Sequence, residues 1–386
     1  MIYLDNNATT RLHPSVFHKQ CEVLNRFFGN PSSLYPAGVE VKAMVEKARN
    51  QVASLINADL SGGDTLLFTS CATESNNAVL HSVMQPNNFG KHIIISAVEH
   101  PAISQTAEYY KKNGSRVSRI GVDSDGNLCL DELCAAITDE TVLVSIMYVN
   151  SETGVIHDIP RVVRMVKGIR KDIIVHTDAV QAAGKIPIDV QTLGVDMLTL
   201  SGHKFHAPKG IGVLYIKKGV PFVPFMMGGH QEKNLRAGTE NTASIVALGE
   251  AAVITRSELT SGAVEKMMRL RNLLENELKS SHKDLMIFGE RAPRVCNTTN
   301  IGFKNVLGHK LVLQLAQRGI YISSGTACNS ESTKPSRVLT AMNVPAEYIS
   351  SIRISLDSYT KEDDIRNLLT ALDEILGRGK KNGSKD

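Results

Sequence analysis

From about Thr65 to Ile216, short apolar runs alternate with stretches whose apolar residues recur at helical spacing. The runs fall near 65–69, 92–97, 116–120, 141–147, 173–177, 196–200 and 211–216, each about one strand long. Such alternation predicts a mostly parallel sheet, because parallel neighbours need a long crossover and the crossover helices then cover both faces. Ligands in such sheets bind beyond the carboxyl ends of the strands, so the polar residues just after each run are where chemistry is expected. Further on, helical periodicity over Ala263–Lys279, His309–Gln317 and Glu362–Ile375 is interleaved with strand-like pieces near Asn300–Phe303, Ile320–Ser323 and Arg353–Ser355. That pattern predicts a second, smaller α/β unit.

At 386 residues the chain exceeds one compact core, which agrees with two units. Its 42% hydrophobic and 21% charged residues are those of a globular enzyme. The net charge of +4 is mild and no basic stripe with interleaved aromatics occurs, so nucleic acid is not an expected partner. No run approaches the length of a membrane span, and the chain opens on strand-like Met1-Ile2-Tyr3-Leu4 rather than a signal peptide; no membrane association and a cytoplasmic location are expected. Six cysteines show neither CxxC spacing nor a paired framework, so free thiols in a reducing compartment, and no metal site, are expected.

Four strand-end or helix-start positions carry candidate chemistry. Lys204, in Ser201-Gly202-His203-Lys204, follows the run Asp196 to Leu200. In a partly desolvated cleft a lysine amine gives up its proton more readily and can form a Schiff base with an aldehyde cofactor. Asp178 closes the run from Asp172 to Thr177. A lysine anchor and an acid that keeps a pyridine nitrogen protonated are the two halves of a pyridoxal phosphate (PLP) site. Ala72 and Thr73 stand where a helical stretch opens after Thr65 to Phe68; unpaired N–H groups, the positive end of the helix dipole and the Thr73 hydroxyl would receive a phosphate. His100 is expected to end the strand from Lys91, held by Pro101, where an imidazole can stack on a flat ring and move protons. Each piece alone reads equally as a surface lysine, a turn former, a plain helix start or a polar strand end. The reading rests on their conjunction.

In order and spacing these pieces resemble the cysteine desulfurases of the nitrogen-fixation and iron-sulfur-assembly type, PLP-dependent members of the class V aminotransferase family. The resemblance runs from Tyr3-Leu4-Asp5-Asn6-Asn7-Ala8-Thr9-Thr10 through Gly29-Asn30-Pro31-Ser32-Ser33, Ala72-Thr73-Glu74-Ser75-Asn76, Asn150 with Glu152-Thr153-Gly154, Asp178-Ala179-Val180-Gln181, Ser201 to Lys204 and Arg236 to Asn241, and on to Ser323 to Cys328 and Ser351 to Ser355. It implies fold type I of the PLP-dependent transferases: a large PLP-binding domain over 15–255 and a small domain made of 1–14 and 256–376 that carries a cysteine loop; the biased composition of 377–386 predicts a disordered tail. It also implies PLP held on Lys204, with Ala72, Thr73, Ser201 and His203 toward the phosphate and His100, Asn150, Asp178 and Gln181 toward the ring. Arg353, together with Asn150, is implied to bind the substrate carboxylate, a task that suits the guanidinium fork. Thr239 is implied to reach the phosphate of a neighbouring subunit, and hence a homodimer.

Cys328 lies in a polar, small-residue stretch over 323–336 that reads as a mobile surface loop, where a thiol can ionise and act as a nucleophile. Cys21 and Cys134 sit in apolar runs and are expected to be buried. From the residues alone Cys328 fits an incidental surface thiol equally well. The resemblance implies that it takes sulfur from L-cysteine as a persulfide, releases alanine, and hands the sulfur to an iron-sulfur scaffold or other acceptor protein. A selenocysteine lyase or another β-eliminating PLP enzyme is the alternative, sharing every residue without depending on Cys328. Intact Lys204, Asp178 and Cys328 argue against a binding-only scaffold, and the lack of G-x-G-x-x-G after an early strand argues against a nicotinamide dehydrogenase.

Overall fold

The structure is a computed structural model that describes residues 1–85, 87–325 and 335–377. A short strand, β1 (Ile2–Tyr3), opens the chain. The main sheet holds β2 (Thr65–Thr69), β3 (His92–Ser96), β4 (Arg116–Ile120), β5 (Thr141–Ser145), β6 (Ile174–Asp178), β7 (Met197–Ser201) and β8 (Gly212–Ile216), in the order β2-β8-β7-β6-β5-β3-β4. β8 runs antiparallel to both neighbours, and every other ladder is parallel.

Alternate residues of each strand enter two different cores. Ile93 and Ile95 pack in the cluster that holds Val79, Val83, Ile103 and Ala107, while Ile94 belongs to the cluster on the other face with Val45, Val52, Val162 and Leu248. A sheet buried on both faces needs unbroken apolar runs such as Ile93-Ile94-Ile95, which is why these strands stand out in the sequence. The mostly parallel α/β sheet with helices on both faces is therefore as expected.

A second sheet, β12-β13-β10-β9, is built from β9 (Leu285–Ile287), β10 (Thr298–Phe303), β12 (Ser323–Ser324) and β13 (Ser351–Ser355), while β11 (Ile320–Tyr321) pairs in parallel with β1. The single strand expected near 320–323 is thus two strands in different sheets. Leu4 packs with Leu270, Leu274, Ile352, Ile354, Leu368 and Leu372, in a core separate from those of the main sheet. Among the described residues no helix is long and apolar enough to cross a membrane. Cys21 is exposed and Cys134 half-buried, against expectation, because each lies on a helix whose apolar neighbours turn inward; among the described residues the buried cysteine is Cys296.

Candidate active site

β6 and β7 are parallel neighbours with Asp178, the last residue of β6, opposite Thr199, so Ser201, the last of β7, ends two residues beyond it at the same edge of the sheet. One turn of 3-10 helix, Gly202–Lys204, then brings Lys204 over the strand ends. A cavity of about 290 Å³ lies there, lined by Asp178, Gln181, Ser201, His203 and Lys204 and closed by Ala72, Thr73, His100 and Arg353. Nine of the residues singled out from sequence therefore meet in one place.

Asp178 is held in one orientation: Oδ2 accepts from Asn76 Nδ2 at 2.8 Å and Oδ1 from the Val180 N–H at 3.0 Å. Asn76 is fully buried, one turn into the Ala72–Met84 helix whose first residues line the cavity. The same helix thus presents its N-terminus and a carboxylate-orienting amide. Sequence reading had not given Asn76 a role; its signal was a polar residue on the inward face of a helix start. The helix begins at Ala72 without a side-chain cap on Cys71, which leaves its first N–H groups for a ligand. Gly212 on β8 permits the approach, since a Cβ there would stand 2.6 Å from the Cys71 carbonyl carbon and 2.9 Å from the Ala72 nitrogen.

His100 is not a strand end. β3 stops at Ser96, and His100 caps the Pro101–Lys112 helix, its Nδ1 accepting from the Ala102 N–H at 3.1 Å. The Pro101 that seemed to close a strand instead opens this helix. With Nδ1 engaged as acceptor, the neutral ring carries its proton on Nε2. Burial holds the imidazole below its ordinary pKa, against the opposing charge of Asp178. Beside it, Glu99 Oε1 accepts from Ser96 Oγ at 2.6 Å and from the Met147 N–H at 2.8 Å, and burial pushes the Glu99 carboxyl up to about 8.

The N-terminal segment forms another wall. Lys204 Nζ donates to Asn7 O at 2.6 Å and to Ala8 O at 2.7 Å, and Gln181 Nε2 donates to the same Asn7 carbonyl at 2.9 Å. Arg353, 3% exposed, donates from Nη2 to Asp5 Oδ1 at 2.7 Å and from Nη1 to Ser151 O at 3.2 Å. Its Nε is buried with no partner among the described residues. Two of the five N–H donors of this guanidinium are engaged, and the group lines the cavity, where its remaining donors suit a carboxylate.

Three residues lie elsewhere. Asn150 is buried behind the cavity wall, with its Oδ1 accepting from the Glu152 and Thr153 N–H groups at 2.9 and 3.0 Å. Thr239 is exposed and lines a separate surface depression with Ser70 and Arg236. Cys328 falls outside the described residues.

This donor set fits PLP: an amine for its aldehyde, a fixed carboxylate for its ring nitrogen, and an uncapped helix N-terminus for its phosphate. The aminotransferase class-V family model matches residues 2–368. The chain is 45% identical to a protein of Nostoc sp. named cysteine desulfurase, over 98% of this chain and 93% of that one. Among solved structures, a NifS-like protein superposes with a TM-score of 0.89 at 38% identity, covering 97% of this chain and 99% of the other. SspA in complex with cysteine superposes with a TM-score of 0.81 at 29% identity, covering 94% and 100%. The chain belongs to the class-V aminotransferase family and, within it, to the cysteine desulfurases.

Proposed function

We propose that this chain is a PLP-dependent L-cysteine desulfurase that holds the released sulfur as a persulfide on Cys328 and passes it to an acceptor in iron-sulfur or other sulfur-cofactor assembly. The observation that carries the reading is the joint presence in one cavity of Lys204, the fixed Asp178 and the Arg353 guanidinium.

PLP, when bound, supplies an aldehyde that holds the substrate amine and a ring that takes up electrons. Arg353 binds the substrate carboxylate and so sets which bond at Cα faces Lys204. The Lys204 amine removes the α-proton, with the Asn7 and Ala8 carbonyls available to hold it once it is an ammonium. Asp178 is the acid partner of the ring nitrogen, and His100 moves a proton through Nε2. The Cys328 thiolate attacks the substrate sulfur; an S–S bond forms as the C–S bond breaks, and the carbon takes a proton. One cysteine and one thiol become alanine and a persulfide, so the step balances without an oxidant.

Thr239 stands exposed and apart from the cavity, which favours its serving the phosphate of a neighbouring copy; with the exposed Phe28, Leu34 and Met227 this supports a homodimer. The separate cores support a large domain over 15–255 and a small one over 1–14 and 256–376. We place the protein in the cytoplasm, which fits the free cysteines Cys21, Cys71, Cys129, Cys134 and Cys296.

The test adds L-cysteine to the purified PLP-loaded protein. Alanine and protein-bound persulfide are expected in equal amounts, with Lys204→Ala inactive and Cys328→Ala still showing a cysteine-dependent change in cofactor absorbance while losing alanine by orders of magnitude. Alanine at the wild-type rate from Cys328→Ala would promote selenocysteine or other β-elimination chemistry in its place.

A further inference from the structure

The N-terminal segment that walls the cavity is tied at one end to the smaller sheet and at the other to the turn that carries Lys204. At the first end, the Asn6 N–H and Nδ2 donate to Ser355 O at 3.2 and 2.9 Å, and the Asn7 N–H donates to Ser355 Oγ at 2.9 Å, on the same strand as Arg353. At the second, the Thr10 N–H donates to His203 O at 2.9 Å and Thr10 Oγ1 accepts from the His206 N–H at 2.8 Å. Between the two ends stands Asn7, 2% exposed.

Asn7 meets both halves of the site. Its carbonyl accepts from Lys204 Nζ and from Gln181 Nε2. Its side-chain amide reaches the smaller sheet: Nδ2 donates to Thr298 Oγ1 on β10 at 2.9 Å and to Ser151 O at 3.2 Å. The same Ser151 carbonyl accepts from Arg353 Nη1. Lys204 and Arg353 are therefore joined through one residue and one shared carbonyl. Removing a proton from Cα requires the amine and the substrate carboxylate to be held in a fixed relation, and a misplacement of about 1 Å can cost about a hundredfold in rate.

We infer that Asn7 is a positioning residue of this reaction: its side-chain amide, anchored on Thr298 and on the Ser151 carbonyl that Arg353 shares, holds its own backbone carbonyl against Lys204 Nζ and so sets that amine relative to the bound carboxylate. The inference rests on the reading above, in which Lys204 moves the α-proton and Arg353 takes the carboxylate. The fold itself does not depend on this amide. Without it, Thr298 Oγ1 still donates to Asn297 Oδ1 at 2.9 Å and Ser151 O still accepts from Arg353, so neither is left bare.

The test compares Asn7→Ala, Thr298→Val and Thr298→Ser in the full chain. Ala removes the anchoring amide, Val removes the hydroxyl that accepts from it, and Ser keeps that hydroxyl. The first readout is the rate at which solvent deuterium enters Cα of L-alanine, the reaction product, on the PLP-loaded protein, followed by NMR and set against KM for L-cysteine. Exchange should fall by about ten- to a hundredfold in Asn7→Ala, with KM moving less than about threefold because Asp5 still holds Arg353. Thr298→Val should show a smaller loss and Thr298→Ser should exchange as wild type does. The second readout is the labelling of Lys204 by an amine reagent in PLP-free protein, mapped by mass spectrometry. Labelling should be several-fold faster in Asn7→Ala, where one of the carbonyl acceptors of the amine is displaced. If Asn7→Ala does not fold, the two Thr298 variants carry the comparison. Exchange unmoved in Asn7→Ala, an equal loss in Thr298→Ser and Thr298→Val, or Lys204 labelling unchanged in Asn7→Ala overturns the inference. Neither readout involves sulfur, so this failure is distinct from that of the desulfurase reading, which shows as no alanine from cysteine.

Discussion

Asp5 Oδ1 accepts a hydrogen bond from Arg353 Nη2 at 2.7 Å, joining residues 348 positions apart. The contact exists because β1 pairs with β11 and the Asp5 backbone bridges to Ser355, laying the N-terminal segment against β13. Asp5 fixes one arm of the guanidinium and the Ser151 carbonyl the other, so the group is held in one orientation in the cavity wall. Asp5→Ala and Asp5→Asn should both raise KM for cysteine by about ten- to a hundredfold, the worth of one charge-assisted hydrogen bond, with kcat changed far less. Steady-state kinetics decide the matter. A fall in kcat at constant KM would place Asp5 in some other role.

What the sequence made legible follows from distance along the chain. The strands of the main sheet are buried on both faces and so appear as unbroken apolar runs, and Lys204 and Asp178 lie at or just past the ends of those runs. The Asp5–Arg353 pair and the Asn76–Asp178 bond were not legible, because each depends on which distant segments become neighbours. His100 was placed on the wrong element for a local reason: a proline ends a strand and starts a helix with the same letter.

Asn76 makes a prediction of its own. Its Oδ1 is buried without a partner among the described residues, so its one hydrogen bond is the donation to Asp178. Asn76→Ala removes that bond and leaves a buried carboxylate oxygen short of a donor, a loss of about 1–3 kcal/mol. PLP affinity should fall by roughly tenfold or more, measured by titrating PLP-free protein. Asn76→Asp should be worse, because two carboxylates cannot share the site cheaply. Equal PLP affinity in Asn76→Ala and wild type would refute an orienting role.

The buried carboxyl of Glu99 sets a pH dependence of stability. Its pKa is raised from 4.5 to about 8 by burial, so between those values the native state keeps a proton that the unfolded chain has released. That contribution to stability is complete below pH 4.5 and is lost as pH rises through about 8. The slope from this group is about 1.4 kcal/mol per pH unit inside the window. Glu152, raised by burial to about 7, adds to it, whereas His92, His176 and His203, lowered by burial to about 4, 3 and 4, oppose it below pH 6.5 and Lys185 opposes it above pH 7, so over pH 5 to 7 the Glu99 contribution is read as the difference between a variant and wild type. Glu99→Gln keeps an acceptor for Ser96 and Met147 and has no proton to lose. Its denaturant midpoint should rise relative to that of wild type as pH increases across this range, and parallel curves would show that Glu99 is not protonated in the native state.

Gly212 tests the phosphate end of the site. A methyl group at this position would meet the Cys71 carbonyl carbon at 2.6 Å, Thr69 Oγ1 at 2.7 Å and the Ala72 nitrogen at 2.9 Å, and two of these three atoms are backbone that cannot swing aside. Gly212→Ala must therefore push the start of the Ala72–Met84 helix away from β8, and with it the N–H groups of Ala72 and Thr73 that line the cavity. If those groups hold the phosphate, PLP should bind about tenfold or more weakly, while kcat at saturating PLP changes little because Lys204, Asp178 and Arg353 stay on other elements. Gly168→Ala is the control: it lies in the Ile159–Ile169 helix with open space around its Cβ position, and there alanine should be neutral or stabilising by up to about 1 kcal/mol. Unchanged PLP affinity in a folded Gly212→Ala protein would remove the helix start from the phosphate site and leave Ser201 and His203 to account for it.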